Sequence, residues 1–191
     1  MRFIRISGND SANLSASATP LEMLLGCHAR TRHFMQLSRT LADAENAPHQ
    51  EIAQAATSIL RHFSDALPLH EADENESLFL RLHAALPPGG LVREAAETMV
   101  EQHKAIHELL TELLPLCASL GRQPHHLPFL SHRLDHVTQA LNQIFAAHLC
   151  LEETVVFPAI TEWLSPAHIK QMSREMHERR RPARRTIHLV Q

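Results

Sequence analysis

The sequence has no tyrosine, only three cysteines and only five glycines among its 191 residues. The absence of tyrosine excludes a function based on a tyrosyl radical. The cysteines, Cys27, Cys117 and Cys150, are too few and odd in number for a disulfide framework, so they favour a reducing compartment such as the cytoplasm. There is also no P-loop, GxSxG or CxxC motif, so the common signatures of nucleotide-binding proteins, serine hydrolases and thiol oxidoreductases are missing.

Other absences concern the membrane and nucleic acid. No continuous apolar run reaches the ~20 residues that span a bilayer, so we expect no membrane segment. Residues 1–19 lack the apolar core of a secretory signal, and we expect them to form a flexible N-terminal segment. The net charge of −3 gives no general reason to expect nucleic acid. Only the basic tail is a candidate for that contact, and we interpret it as solvated. It contains Arg179, Arg180, Arg181, Arg184 and Arg185.

Apolar residues recur with a helical period in long stretches that proline and glycine clusters separate, which predicts an all-α protein. Thr19, Pro20 and Glu22 predict a capping box at the start of the first helix. Four long helices with short connections predict an up-down-up-down four-helix bundle over residues 20–164. Ser165 and Pro166 predict the start of a short fifth helix, which leads into the basic tail in residues 165–191.

Two further features concern the interior and the ends of these helices. Gly121 is predicted to cap the third helix at its C-terminal end. Pro68 and Pro115 fall inside predicted helices and should kink or break them locally, because proline lacks a backbone N–H.

Sixteen histidines are several times the usual share, and they direct the search for function. Ionisable residues interrupt the core-facing stripe of all four long helices. They are His28, His70, Glu74, His103, His107, His148 and Glu152. An unpaired carboxylate or imidazole is costly to bury, so seven of them on converging stripes need a common partner. A metal cluster is the simplest one.

Helical geometry separates these residues from the other histidines. The pairs His70/Glu74, His103/His107 and His148/Glu152 are each one turn apart, so both members can reach one centre. Five other histidines lie on different helix faces, and we interpret them as surface residues or as residues just outside the ligand shell. They are His33, His62, His83, His132 and His136.

The donor set also limits the choice of metal. Five histidines and two glutamates are too many for one zinc ion, which usually takes four ligands. They suit two five- or six-coordinate ions that share both carboxylates as bridges. Nitrogen and oxygen donors without thiolate favour iron, with manganese as the alternative. The positive charge left at such a centre would favour a bridging oxide or hydroxide. Neither HExxH nor the Glu-x-x-His motif of ferritin-like di-iron proteins is present.

The order of the motifs resembles the hemerythrin-like (HHE cation-binding) family over residues 20–164. The motifs are His28 within Leu24-Leu25-Gly26-Cys27-His28, His70-x-x-x-Glu74, His103-x-x-x-His107, and His148 with Glu152 ahead of Phe157-Pro158. The resemblance implies one iron bound by His103, His107 and His148. It implies a second, with an open position, bound by His28 and His70. Glu74 and Glu152 would bridge the two. Because some members use the carboxylate five residues after the last histidine, Glu153 is the alternative to Glu152.

The resemblance also implies what the centre does. The leading hypothesis is a cytoplasmic non-haem di-iron protein that binds, senses or carries O2 or NO. The alternative is a di-iron enzyme or repair factor of the oxidative and nitrosative stress response, acting in iron–sulfur cluster repair, as a peroxidase or in NO reduction. A third hypothesis is a regulatory module whose basic tail contacts nucleic acid or a partner.

Overall fold

The structure, a computed structural model, describes residues 18–181. Every regular element in that range is helical, which confirms the predicted all-α class. Most of the N-terminal segment that we predict to be flexible lies outside the described residues. Arg184 and Arg185 of the basic tail also lie outside them.

Four long helices form the bundle. The first is α1 (Pro20–Ala42), and the third is α5 (Leu91–Arg122). The second consists of α2 (His49–Arg61), α3 (Leu67–Ala72) and α4 (Leu80–Ala85), joined by the π-helical segments His62–Ala66 and Asp73–Phe79. The fourth follows a 3-10 turn at Pro124–His126 and consists of α6 (Leu127–Leu151), the π-helical segment Glu152–Val156 and α7 (Phe157–Trp163). A shorter helix, α8 (Pro166–Arg179), comes last.

Local sequence signals account for the helix starts. Glu22 N donates to Thr19 Oγ1 at 3.2 Å, and Thr19 N donates back to Glu22 Oε2 at 2.8 Å, which confirms the predicted capping box. His168 N donates to Ser165 Oγ at 3.2 Å and confirms the start of α8. The prediction for Gly121 is wrong, because α5 continues through it to Arg122. A Cβ at Gly121 would lie 3.0 Å from Thr57 Oγ1, so the glycine allows α5 to approach α2 closely.

The prolines act differently from one another. Pro68 lies in the first turn of α3, directly after the π-helical segment His62–Ala66, so the predicted break takes the form of a π turn. Pro158 follows the segment Glu152–Val156 in the same way. Pro115, in contrast, lies inside α5, which runs through it without a break.

The four helices pack in a ring: α1 contacts α2, α2 contacts α5, α5 contacts α6, and α6 returns to α1. The buried apolar residues form two separate clusters along the bundle axis. On α1, His28 lies between Leu24 of one cluster and Phe34 of the other. His70, His103 and His148 occupy the same intermediate level on the other helices. The ionisable residues therefore form a polar layer between two apolar layers.

The fifth helix closes one end of this bundle. Met172 and Met176 of α8 are fully buried in the apolar cluster that contains Leu24. At its end, Arg179 Nη1 donates to Asp73 Oδ1 at 2.9 Å, and Arg180 Nη2 donates to Asp73 Oδ2. The interpretation of the basic run as solvated is therefore wrong for Arg179 and Arg180. Their guanidinium groups pair with Asp73, a fully buried carboxylate, and so offset the cost of burying its charge.

One helical stretch among the described residues, Pro124–Trp163, is long and apolar enough to cross a membrane by length and composition alone. In the structure it is the fourth bundle helix, and it packs against α1 and α5. Our expectation of no membrane segment considered only continuous apolar runs. That expectation stays a prediction.

Candidate metal centre

Six of the seven predicted site residues meet in the polar layer at the middle of the bundle. His28 comes from α1, His70 from α3, His103 from α5 and His148 from α6. Glu74 and Glu152 come from the two π-helical segments, Asp73–Phe79 and Glu152–Val156. None of the six side chains is more than 6% exposed.

The six residues form two overlapping groups whose donor atoms lie within 4.8 Å of one another. One group contains His28 and His70, the other contains His103 and His148, and both include the two glutamates. We call these groups the His28/His70 position and the His103/His148 position.

Each glutamate directs one carboxylate oxygen toward each position. Glu74 Oε1 lies 3.1 Å from His70 Nε2, and Glu74 Oε2 lies 3.2 Å from His103 Nε2. Glu152 Oε2 lies 3.0 Å from His28 Nε2, and Glu152 Oε1 lies 3.3 Å from His148 Nε2. This is the arrangement expected of two carboxylates that bridge two cations.

The opposite edges of three imidazoles are held by acceptors. Nδ1 of His103 is 3.1 Å from Asn75 Oδ1, and Nδ1 of His148 is 3.0 Å from Gln102 Oε1. His28 Nδ1 is 2.7 Å from Glu153 Oε1. An acceptor at Nδ1 places the proton there and leaves the lone pair on Nε2, which faces the centre.

The inward atoms fit a metal, because they lie at ion-pair distance from one another and face no other group in the described part of the chain. Among the described residues, seven buried atoms of this cluster have no hydrogen-bond partner. They are Nε2 of His28, His70 and His103 and both carboxylate oxygens of Glu74 and Glu152. Buried polar atoms are normally satisfied, so a concentration of lone pairs without hydrogen bonds at one point indicates a cation-binding site. Imidazole nitrogens and carboxylate oxygens without thiolate suit iron or manganese.

Without a cation the cluster retains protons. Burial raises the pKa of Glu74 to about 7, and burial with the nearby charge of Glu74 raises the pKa of Glu152 to about 8. Burial lowers the pKa of His148 to about 3 and holds the pKa of His70 well below its ordinary value. Burial also acts to lower the pKa of His28, but contacts with Glu152 and Glu74 outweigh it and raise that pKa to about 10. A bound cation would displace the protons on these donors.

Comparison with known proteins agrees with this geometry. The family model of the hemerythrin HHE cation binding domain matches residues 94–190, just over half of the chain. The chain belongs to the hemerythrin family. An uncharacterized protein of Haemophilus influenzae is similar to it, with 26% identity over 164 residues that cover 84% of this chain and 90% of that protein.

Within this hemerythrin-type bundle, His107 is the one predicted ligand that does not join the cluster. Its side chain is 59% exposed, and its Nε2 is bonded to Glu71 Oε2 instead of facing the cluster. Four residues along α5 is a rise of about 6 Å, which moves His107 beyond a cluster this compact. The three-histidine iron that the resemblance implies is therefore not what the structure shows, because each position contains two imidazoles.

The structure also distinguishes the two candidate carboxylates of the fourth helix. Glu152 is fully buried and faces both positions. Glu153 lies behind the His28 ring and accepts a second hydrogen bond from Arg32 Nη2 at 2.9 Å. Arg32 holds the pKa of Glu153 below its ordinary value. The preference for Glu152 over Glu153 as an inward-facing residue agrees with this placement.

Four of the five histidines that we placed on other faces are exposed, namely His33, His83, His132 and His136. His62 is the exception, because it is buried and stacks on Phe34 with ring centroids 4.2 Å apart. Burial and nearby cations lower its pKa to about 3, so this ring is neutral and part of the core.

Sequence analysis missed Asn75 and Gln102, which hold the outer edges of two imidazoles, and considered Glu153 only as a bridge. Each is next to a predicted ligand in sequence but serves a ligand on another helix. Asn75 follows Glu74, Gln102 precedes His103, and Glu153 follows Glu152. A hydrogen-bonding residue directly beside a predicted ligand would have been the signal for them.

Proposed function

We propose that the protein is a cytoplasmic non-haem di-iron protein that binds or senses O2 or NO. The observation that carries the proposal is the pair of overlapping positions, each with two imidazoles and a share of two carboxylates. Two histidines and a carboxylate with further open positions are a ligand set typical of non-haem iron, which leaves room for an exogenous ligand.

Two bound ferrous ions would supply one electron each to O2, and NO would bind at the same open position without that two-electron transfer. The protein contributes the surroundings. The polar layer lies between two apolar clusters, so water has little access to the centre. Phe157 stacks on His28 with ring centroids 5.0 Å apart and helps to fix the orientation of that ring. Two divalent ions with two carboxylates would have a net positive charge, and that charge would favour a bridging oxide or hydroxide.

The test is elemental analysis of the purified protein, followed by visible absorption and Mössbauer spectra of the reduced form before and after O2 or NO. We expect two iron ions per chain and a spectral change with at least one gas. Two manganese ions would assign the other metal. Fewer than two ions per chain would contradict the two-position site, and a spectrum unchanged by either gas would contradict the gas-binding function.

A matched set of variants connects these signals to the cluster. His28→Ala should abolish the gas-dependent change while at least one metal equivalent remains, because one position keeps both of its imidazoles. His136→Ala changes an exposed histidine of α6 and should alter neither property. Consumption of many equivalents of NO or peroxide per chain would instead favour the enzymatic alternative.

A further inference from the structure

The two halves of the proposed site differ in what stands behind the imidazoles. Behind His103 and His148 the acceptors are the neutral amides of Asn75 and Gln102. Behind His28 the acceptor is the carboxylate of Glu153. The fourth imidazole, that of His70, has no hydrogen-bond partner at Nδ1 among the described residues.

This difference matters because an acceptor at Nδ1 changes the donor strength of Nε2. A hydrogen bond to an ionised carboxylate is shorter and roughly twice as strong as one between neutral groups. It shifts electron density into the imidazole and raises its basicity as a metal ligand. The observed distances follow that order, with 2.7 Å from Nδ1 to the carboxylate at His28 against 3.0 and 3.1 Å to the amides.

Glu153 is also held in place from outside. Its second oxygen accepts from Arg32 at the surface, while its first oxygen faces the fully buried His28. Both contacts cross from the fourth helix to α1, so Glu153 links the ligand His28 to a half-exposed cation of the same helix, α1. Its neighbour Glu152 faces the centre, and consecutive residues of one helix therefore serve the site from inside and from outside.

We propose that Glu153 is a positioning residue that strengthens His28 as a metal ligand, so that the His28/His70 position alone depends on a charged acceptor. This inference rests on the proposed di-iron function. In the sequence analysis Glu153 was the alternative to Glu152 as a bridging ligand. Here it is not a ligand but supports one. Loss of the charge should weaken metal binding at one position and raise the Fe(III)/Fe(II) potential of one ion only.

Glu153→Gln is the direct test, because glutamine keeps an oxygen acceptor for Nδ1 and removes the charge. Changes to such outer partners typically alter metal affinity about 10- to 100-fold. We expect a loss of that size in one of two stepwise affinities, measured by chelator competition with Co2+. A redox titration of the iron form should show one of two potentials raised and the other unchanged.

Gln102→Glu is the matched reciprocal variant, because it places a carboxylate behind His148. It should strengthen binding and lower the potential at the other position, and the two changes should add in the double variant. Equal weakening of both ions in Glu153→Gln, or no change in either affinity or potential, would overturn the inference. Fewer than two ions in the unaltered protein would instead refute the di-iron function on which it depends.

Discussion

The buried cluster makes an unusual prediction for the metal-free protein: its stability should fall as the pH rises from about 6.5 to about 8. Glu74 and Glu152 have pKa values of about 7 and about 8 in the folded state, against 4.5 for ordinary glutamates. In this pH range the unfolded chain has lost both protons while the folded protein still holds part of them. A raised pKa in the folded state stabilises below the ordinary value and stops doing so as the pH passes the raised value.

The size of the effect follows from these pKa values. Each proton that the folded state holds and the unfolded chain does not changes the free energy of unfolding by about 1.4 kcal/mol per pH unit. Integrated over this range, the two carboxylates together give a loss of about 2 kcal/mol. For a chain of this size that corresponds to a decrease in Tm of about 4–8 °C. His28, with its pKa raised to about 10, acts in the same direction. His62, His70 and His148, whose pKa values burial lowers, act in the opposite direction and offset much of that contribution, so the two carboxylates set the net fall.

Metal reverses the trend. The ions bind only deprotonated donors, so their affinity rises with pH and the loaded protein gains stability relative to the metal-free form. The difference in Tm between loaded and chelated protein should therefore increase as the pH rises from about 6.5 to about 8. Acidification should narrow it and release the metal, because protons compete for the imidazoles and carboxylates.

Differential scanning calorimetry of the chelated and loaded protein at the two pH values measures both trends. Glu152→Gln should reduce the pH dependence of the chelated form, because it removes one of the two carboxyl groups that titrate in this range. Glu108→Gln, which changes an exposed glutamate of α5, should leave it unaltered. A Tm of the chelated protein that stays constant or rises with pH would refute the reasoning.

Three further predictions concern individual residues. His107→Ala should retain two metal equivalents by elemental analysis, because its ring is bonded outside the cluster; loss of an ion would restore His107 to the ligand set. Glu152→Ala should lose at least one equivalent while Glu153→Ala stays close to two at saturating metal, and the opposite result would make Glu153 the bridge. Arg180→Ala should lower the free energy of unfolding by about 1–3 kcal/mol, because the buried Asp73 loses a charged partner. Thermal denaturation measures that loss, and an unchanged Tm would show that the contact contributes nothing.

The predictable part of this structure is the part that short-range patterns encode. Helix period and capping residues predicted four long helices and the start of α8, and the side chains at Thr19 and Ser165 confirm those starts. Interruptions of the apolar stripes predicted which faces would meet, and six of the seven residues do meet. Both results depend only on spacing along single helices.

What could not be predicted depends on distances between helices. His103 and His107 share a face of α5, and spacing alone cannot show that the cluster is too compact to include both. The local sequence pattern does not predict that the backbone forms π turns at Glu74 and Glu152. The burial of Asp73 beneath two arginines depends on where α8 folds back, which no property of the tail itself determines.

The hydrogen bonds at Nδ1 of the imidazoles follow from the limited space around the buried centre. A residue next to a ligand on the same helix turns about 100° away from that ligand, so it cannot reach the same point. It faces the neighbouring helix, where the outer edge of another imidazole needs an acceptor. Gln102 therefore supports His148 of the next helix rather than its own neighbour His103. Each of these outer hydrogen bonds joins two helices. The same interactions therefore position the ligands and hold the helices together at this level of the bundle. A substitution there should change metal affinity and interhelical packing together, and only a variant that keeps the acceptor, such as Glu153→Gln, separates the two.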